Sequence, residues 1–254
     1  MCILSLLLIL LAGCTPTPDA PAMAYVPAGP FLMGSNTGHA DEAPPHMVDL
    51  PAFYIDRYEV TVAQYAAFLN AVGGLWQCDG HVCADVHDEN PQSRLLTAGN
   101  GYRAAPGYEH HPITWVSWYG AAAYCRFYGK RLPTEAEWEK AARGTDGRRY
   151  PWGDAFDPAR ANAGNRLQGT TPVGTFPQGM SPYGVLDMAG NVWEWVADWY
   201  APYPGGDYTS PFFGKYKVVR GGSWNHPARD ARTTARDIAH PARRLGVVGF
   251  RCAR

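Results

Sequence analysis

The 254-residue chain has a net charge of −1, and 46% of its residues are apolar. The apolar share is large enough for a hydrophobic core and argues against intrinsic disorder, while the balanced charge gives no indication of nucleic-acid binding. The 28 glycines and 22 prolines interrupt regular elements, and the 15 tyrosines and 9 tryptophans supply large rings for burial. This composition predicts long ordered loops held by buried aromatic rings.

The first residues have the pattern of a targeting segment. An apolar run at 3–11 is too short to span a bilayer and fits the apolar region of a signal peptide. The run ends in LAGC at 11–14, which resembles the bacterial lipobox, whose cysteine becomes lipidated. We therefore expect a lipoprotein signal peptide at 1–13, lipidation of Cys14, and a tether at 14–24.

Thr15 follows the cysteine, where an aspartate would favour retention in the inner membrane. The expected location is the bacterial cell envelope, at the outer membrane, with membrane contact only through the lipid anchor. No lysine or arginine precedes the apolar run, as a signal peptide would normally have. Two alternatives to a lipoprotein signal therefore stay open: a plain signal peptide, or a true start codon that lies upstream of Met1. The folded domain is expected at 25–254.

Four cysteines remain in the expected domain: Cys78, Cys83, Cys125 and Cys252. An even number in an oxidising compartment predicts two disulfides, and sequence spacing alone does not choose among the three pairings. Cys78 and Cys83 share the loop CDGHVC and are the natural local pair. The alternative is a metal site at these two sulfurs and His81, although it lacks a fourth ligand nearby.

The domain begins with short strands and a helix. Two strands are predicted around a Pro-Ala-Gly turn after Ala24, and a further strand is predicted from His46. Apolar residues then recur at helical spacing after Thr61, which is a suitable N-cap. Residues 72–108 lose this periodicity and are interpreted as an insertion.

Two helices are predicted in the middle of the chain. A strand ending at Trp118 is followed by a helix over 119–128, and a capping box at Thr134 begins a second helix that ends near Arg143. Residues 150–182 are expected to form loops. The last segment has the pattern of a strand that returns beside the first strands and closes the domain.

The segment from Arg220 to Arg254 contains eight arginines, two aspartates and no lysine. Its charge of +6 contrasts with the net charge of −1 for the whole chain, so the remainder is acidic. The arginines either pair internally with that remainder or form a face that binds anions or carboxylates, which guanidinium groups suit. Asp187 and Glu194, in turn, lie in an aromatic-rich stretch and need an arginine or a metal as partner.

Five motifs occur in order along the chain: GKRLPTEAEWEKAARG, YPWGD, GNVWEWVADWY, RGGSW and GFRCA. They resemble the formylglycine-generating enzyme (sulfatase-modifying factor) family over nearly the whole mature chain. The resemblance implies a single α+β domain with a C-type-lectin-related fold and little regular secondary structure. It also implies a disulfide between Cys125 and Cys252, which leaves Cys78 and Cys83 as the local bridge.

Enzymes of this family oxidise a cysteine of a client sulfatase with oxygen, using two copper-binding cysteines just after the Arg-Gly-Gly-Ser motif. In this chain no cysteine lies at 126–251, so copper is not expected. The frame of the site is kept, and the remaining pocket is expected to be lined by Asn225, His226, Arg229, Asp230 and Arg232.

The resemblance also implies calcium as a cofactor, since mixed carboxylate and carbonyl oxygens suit this ion. One site is expected at Asp187, Gly190, Val192 and Glu194. A second, in which Asn165 replaces the usual aspartate, is expected at Asn162, Ala163, Asn165 and Leu167.

Three functions remain open. The first is a non-catalytic binding or accessory protein of the envelope, whose partner is a protein or a small molecule. The second is an oxidoreductase or maturation enzyme of the wider family with different site chemistry. The third is a surface-displayed ligand receptor diversified between RGGSW and GFR.

Overall fold

The computed structural model describes residues 23–76 and 78–254, so the predicted signal peptide, Cys14 and most of the predicted tether lie outside the described residues. The helices are α1 (Val62–Val72), α2 (Trp118–Phe127) and α3 (Glu135–Arg143). The strands are β1 (Met23–Val26), β2 (Gly29–Met33), β3 (His46–Leu50), β4 (Phe53–Asp56), β5 (Leu95–Ala98), β6 (Gly101–Ala104), β7 (Trp193–Trp199), β8 (Lys217–Arg220), β9 (Arg236–Ala239) and β10 (Val248–Gly249). Long ordered loops join these short elements, as the composition predicts.

The first four strands form two antiparallel pairs, β1 with β4 and β2 with β3. Met23 pairs with Asp56, so the domain begins two residues before the predicted boundary at 25. The strand predicted from His46 is divided into β3 and β4, and Pro51 lies at the break. Proline has no backbone N–H for a strand ladder, which explains the interruption.

Side-chain caps set the starts of the helices. Thr61 and Thr134 begin α1 and α3 with the capping boxes expected from the sequence. Ser117 caps α2, so Trp118 is the first helical residue, and the strand predicted to end there is wrong. Val116 forms only an isolated bridge with Ala84. Each of the helices within the described ranges is too short or too polar to cross a membrane.

The segment 72–108, interpreted from sequence as an insertion, contains more order than its lost periodicity indicates. It carries the antiparallel β5–β6 hairpin and the Cys78–Cys83 disulfide. Asn70 at the end of α1 accepts a hydrogen bond from the Tyr102 amide at 2.7 Å and donates one to the Tyr102 carbonyl at 2.9 Å. The segment is therefore fixed to the domain through α1.

The central sheet has the strand order β10-β7-β8-β9, with β10 and β7 parallel and the other pairs antiparallel. The chain end continues past β10 and bridges Ala253 to Ile55 of β4, so the predicted return of the last segment to the first strands is confirmed. The Cys125–Cys252 disulfide ties α2 to this end. Both implied disulfides are present, and the alternative metal site at Cys78, Cys83 and His81 is wrong because both sulfurs are bonded to each other.

Four arginines of the basic segment are buried inside the domain, and each has a carboxylate partner. Arg220 at the end of β8 binds Glu135 at 2.8 Å and Glu139 at 2.6 Å, both on α3. Arg236 at the start of β9 also binds Glu135, at 2.7 Å. Internal pairing with the acidic remainder is therefore the correct interpretation for these side chains.

Arg232 belongs to this buried set, so its predicted position in the lining of a pocket is wrong. Its two terminal nitrogens lie 2.6 and 2.7 Å from the Glu42 carboxylate, which also accepts a hydrogen bond from the Thr234 hydroxyl. Burial alone would raise the pKa of Glu42, but the hydrogen bonds from Arg232 and Thr234 outweigh it and hold this pKa below its ordinary value. The pair joins the loop before β3 to the segment after β8.

The different surroundings of two neighbouring arginines lead to the first prediction. Arg232→Met leaves the Glu42 carboxylate buried without its cation, and we expect the free energy of unfolding to fall by about 3–5 kcal/mol. Arg229→Met is the matched control, because the Arg229 side chain is 70% exposed, and we expect a change within about 0.5 kcal/mol. Urea titration of the two variants measures both values, and equal losses would contradict a structural role for Arg232.

Candidate functional site

The RGGSW segment turns sharply after β8. Gly221 and Gly222 both have left-handed backbones, with φ of 99° and 75°. A Cβ on Gly221 would lie 3.0 Å from the Trp138 ring, and one on Gly222 would lie 2.8 Å from the Asp230 carbonyl oxygen. Both glycines are therefore required by backbone conformation and by close packing. The residues that follow, 224–230, are exposed or half-buried at the surface.

Two cavities open beside this segment. The first has a volume of about 590 Å³ and includes Asp41, Trp193, Tyr200, Asp230 and Asp237 in its walls; we call it the acidic cavity. The second has a volume of about 450 Å³ and includes Trp115 and Trp224; we call it the two-tryptophan cavity. No residue lines both cavities.

The pocket predicted from sequence is divided between these places. Arg229 and Asp230 line the acidic cavity, and Asn225 lines the two-tryptophan cavity. His226 lines neither of these two, and its Nδ1 lies 2.6 Å from the Ser223 hydroxyl oxygen. With Arg232 buried against Glu42, the five predicted residues do not form one pocket.

The acidic cavity has an excess of negative charge. Its walls carry the carboxylates of Asp41, Asp230 and Asp237. Arg236 also lines the cavity and binds Glu135, and Asp230 has Arg229 at 3.7 Å and His39 at 3.5 Å, whereas Asp41 and Asp237 form no ion pair with any residue described. Asp237 is exposed at the cavity, and partial desolvation together with the nearby carboxylates of Asp230 and Asp41 raises the pKa of its carboxyl group. This arrangement favours ligands that carry a basic group.

One indole in the wall of the acidic cavity has an unused donor. Trp193 is 3% exposed, and its Nε1 makes no hydrogen bond with any part of the chain that the structure describes. The His226 ring lies against this indole, with 5.6 Å between ring centroids in an edge-to-face arrangement. Trp193 and His226 thus connect the acidic cavity with the RGGSW segment.

The first expected calcium site lies in a buried cluster of three carboxylates. Glu194 binds Arg251 through two contacts of 2.7 Å and accepts a hydrogen bond from Trp138. Asp187 accepts a hydrogen bond from the Gly174 amide at 2.6 Å. Burial raises the pKa of Asp187 to about 6, because desolvation disfavours the charged carboxylate.

Glu59 is the third carboxylate, and sequence reasoning missed it. It is fully buried, binds the Asn191 side chain at 2.7 Å, and has a pKa raised by burial and by the nearby Asp187 and Glu194. The sequence feature that could have revealed it is the position of an acidic residue inside the largely apolar run YEVTV at 58–62. The cluster has one buried cation, Arg251, which faces Glu59, Asp187 and Glu194.

The donor set of this first site fits calcium in part. Asp187 supplies a carboxylate. The carbonyl oxygens of Gly190 and Val192 accept no hydrogen bond from the residues that the structure describes. Both oxygens of Glu194 are already used by Arg251 and Trp138. The excess negative charge and the free carbonyl oxygens are what a hard divalent cation would satisfy.

The second expected calcium site contains an orphaned oxygen. Asn162 is buried, and its Oδ1 has no hydrogen-bond partner in the described part of the chain. Ala163 is also buried, while Asn165 and Leu167 are exposed in the loop that follows. A buried amide oxygen without a donor is a natural cation ligand. Across the residues described, no group of three or more His, Cys, Asp or Glu side chains has an arrangement that could hold a metal.

Comparison with known proteins places the chain in a family. A model of the sulfatase-modifying factor enzyme 1-like domain matches residues 11–254. The serine/threonine-protein kinase Pkn1 of Chlamydia trachomatis is 39% identical over 94% of this chain, which spans only 39% of that relative's length. The formylglycine-generating enzyme of Thermomonospora curvata is 35% identical over 94% of this chain and 95% of its own.

Solved structures agree with the sequence comparison. PvdO from Pseudomonas aeruginosa has a TM-score of 0.73 at 30% identity and covers 94% of this chain and 95% of its own. Treponema denticola variable protein 1 has a TM-score of 0.68 at 26% identity, with coverage of 91% and 94%. The predicted α+β fold is therefore confirmed, and a C-type-lectin relationship is consistent with it. The motifs, the glycine turn of RGGSW and these matches together show that this chain belongs to the sulfatase-modifying factor enzyme family.

Proposed function

We propose that this chain is a binding or accessory module of the family and does not carry out copper-dependent cysteine oxidation. The supporting observation is the state of its thiols. All four cysteines in the described residues form disulfides, and none of them lines either cavity. The thiolates that would hold Cu(I) in the family's oxidases are therefore missing from the segment after RGGSW.

The acidic cavity is the proposed ligand site of this module. Its carboxylates and the rings of Trp193, Tyr200 and Tyr208 offer charge and apolar contact to a ligand with a basic group. Such a group could belong to a protein partner or to a small molecule. Because fold alone does not fix function, this assignment rests on the residues of the cavity.

An enzyme with different site chemistry is the second candidate. The match to the formylglycine-generating enzyme of Thermomonospora curvata over nearly all of both chains favours it. Stoichiometric iron or copper in the purified chain would favour this candidate over a binding module.

A diversified ligand receptor is the third candidate. The favouring observation is the similarity in fold to the variable protein of Treponema denticola. Arg229, Asp230 and Asp237 of the acidic cavity also lie in the window between RGGSW and GFR. A near-copy of this DNA window beside a reverse transcriptase gene would support this candidate.

We further propose that calcium binds as a structural ion. Asp187 with the carbonyl oxygens of Gly190 and Val192 would hold one ion, and Asn162 would contribute to a second. When bound, calcium supplies positive charge that balances the buried carboxylates Glu59 and Asp187. Its proposed role is to fix the loop that precedes β7.

The proposed location is the bacterial envelope, with Cys14 as the lipidated residue. Support comes from the LAGC pattern at 11–14 and from the position of Met23 in the first strand of the domain. The residues between Cys14 and Met23 are then the link between the membrane and the domain.

The proposed lack of oxidase chemistry can be tested directly. The chain is incubated with Cu(I), a sulfatase-derived cysteine peptide and oxygen. We expect that no aldehyde forms on the peptide and that the protein retains no stoichiometric copper. The formylglycine-generating enzyme of Thermomonospora curvata is the positive control. Mass spectrometry of the peptide and elemental analysis of the protein are the measurements, and aldehyde formation would overturn the proposal.

Calcium binding can be tested through stability. At a calcium concentration about a hundred times its Kd, we expect the free energy of unfolding to rise by about 3 kcal/mol relative to protein in EGTA. Asp187→Asn should reduce this difference, because the first site loses its carboxylate while the second site at Asn162 is unchanged. Asp207→Asn, at an exposed position, is the matched control and should keep the difference. Identical thermal midpoints with and without calcium in the unaltered chain would refute the calcium proposal.

The anchor can be tested by a pair of cysteine variants. We expect Cys14→Ser to move the protein from the membrane fraction to the soluble fraction and to abolish labelling by a fatty acid. Cys2→Ser removes the other cysteine of the leader and should change neither. Membrane retention and labelling of the Cys14→Ser protein would show that Cys14 is not the anchor.

A further inference from the structure

The two-tryptophan cavity is a second concave site, separate from the acidic cavity. Gln92 and Arg94, from the segment interpreted as an insertion, form one part of its wall, and Trp224 and Asn225 after RGGSW form another. Its volume of about 450 Å³ is in the range of small-molecule sites, about 300–1,000 Å³. The function proposed above does not use this cavity.

One indole of this cavity is held in an unfavourable backbone conformation. Trp115 has φ of 57°, a left-handed value that bulky residues seldom adopt. Its ring packs directly on Gly246, where a Cβ would lie only 2.6 Å from Trp115 Cζ2. The Trp115 amide donates a hydrogen bond to the Leu245 carbonyl, and the Trp115 carbonyl accepts one from the Asp85 amide. These two bonds keep the backbone in place. Such strain persists where the surrounding structure fixes a side chain, and it is concentrated at binding sites.

The cavity has one charged side chain in its lining, and that side chain is a free arginine. Arg94 lies over the Tyr108 ring at 4.3 Å and forms no ion pair with any residue described. No carboxylate lines the cavity, so a ligand amine would find no counter-charge there. An unpaired guanidinium instead favours a carboxylate or phosphate, which it can bind through two parallel hydrogen bonds.

The remaining polar groups in the lining are neutral. The side-chain amides of Gln92 and Gln168 and the Thr114 hydroxyl have no hydrogen-bond partner in the described ranges. Asn225 accepts from Ser223 through Oδ1, which leaves its Nδ2 available. Amides and hydroxyls that can both donate and accept match the hydroxyl groups of a sugar, which also donate and accept.

We propose that the two-tryptophan cavity binds an acidic saccharide. The C–H face of the sugar ring packs on the Trp115 and Trp224 indoles, since stacking on aromatic rings buries apolar surface without requiring charge. The ring hydroxyls exchange hydrogen bonds with Gln92, Gln168 and Asn225. Arg94 binds the acidic group of the sugar, which is a carboxylate or a phosphate.

The test uses the purified full chain and three defined probes: methyl glucuronide, methyl glucoside and glucose 6-phosphate. Saturation-transfer NMR detects weak binding and reports which sugar protons contact the rings. We expect the glucuronide or the phosphate to bind more tightly than the glucoside. Arg94→Gln should weaken binding of the acidic probe by about tenfold and leave the glucoside unchanged. The preferred acidic probe distinguishes carboxylate from phosphate recognition.

Arg103→Gln is the matched control, because Arg103 is exposed on β6 in the same segment and does not line the cavity. It should leave binding of every probe unchanged. Gln168→Ala provides a second variant and should weaken acidic and neutral probes alike. Saturation transfer to none of the three probes, or equal binding of the acidic probe by the Arg94→Gln protein, would overturn the proposal.

Discussion

Arg220 is fully buried, and its guanidinium binds both Glu135 and Glu139 on α3. Desolvating three charged groups is costly, and their mutual contacts, together with further bonds such as that from Arg220 to the Thr233 carbonyl at 2.6 Å, offset that cost. The contacts therefore allow little change in the position of α3 relative to β8. Since Arg236 of β9 binds Glu135 as well, one ion cluster fixes a helix and two strands of the central sheet.

The candidate site is a consequence of this cluster. β8 ends at Arg220, and the chain turns at the glycine pair that follows. Glycine is needed at 221 because Trp138 of α3 leaves no room for a side chain there. Residues 224–230 then reach the surface, where they border both cavities. The arginines between Arg220 and Arg254 had two possible uses, and in Arg220, Arg232 and Arg236 the fold uses the guanidinium groups for internal pairing.

The two cavities differ in the charge of the side chains that line them. The acidic cavity combines carboxylates with aromatic rings, whereas the two-tryptophan cavity combines indoles with neutral amides and one free arginine. The scaffold is that of a family whose members include enzymes, yet the described cysteines are all bridged. Because fold alone does not fix function, the function of this chain has to be argued from its own side chains.

The sequence by itself determined the features that depend on neighbouring residues. The Thr61 and Thr134 caps, the ends of α1 and α3, and the order of the family motifs are local patterns of a few residues. Composition predicted the long loops, and the family resemblance supplied both disulfide pairings. These features could be predicted because hydrogen bonds within a helical turn do not require knowledge of the rest of the fold.

Only the tertiary structure decided which distant groups meet. Glu42 and Arg232 are 190 positions apart, and Glu59 and Asn191 are 132 apart, so no local pattern links them. For the same reason the sequence placed Arg232 in a pocket, missed Glu59, and joined five residues that the structure does not bring into one pocket. Electrostatic pairing inside a protein depends on distance and burial, and both are set only when the whole chain is packed.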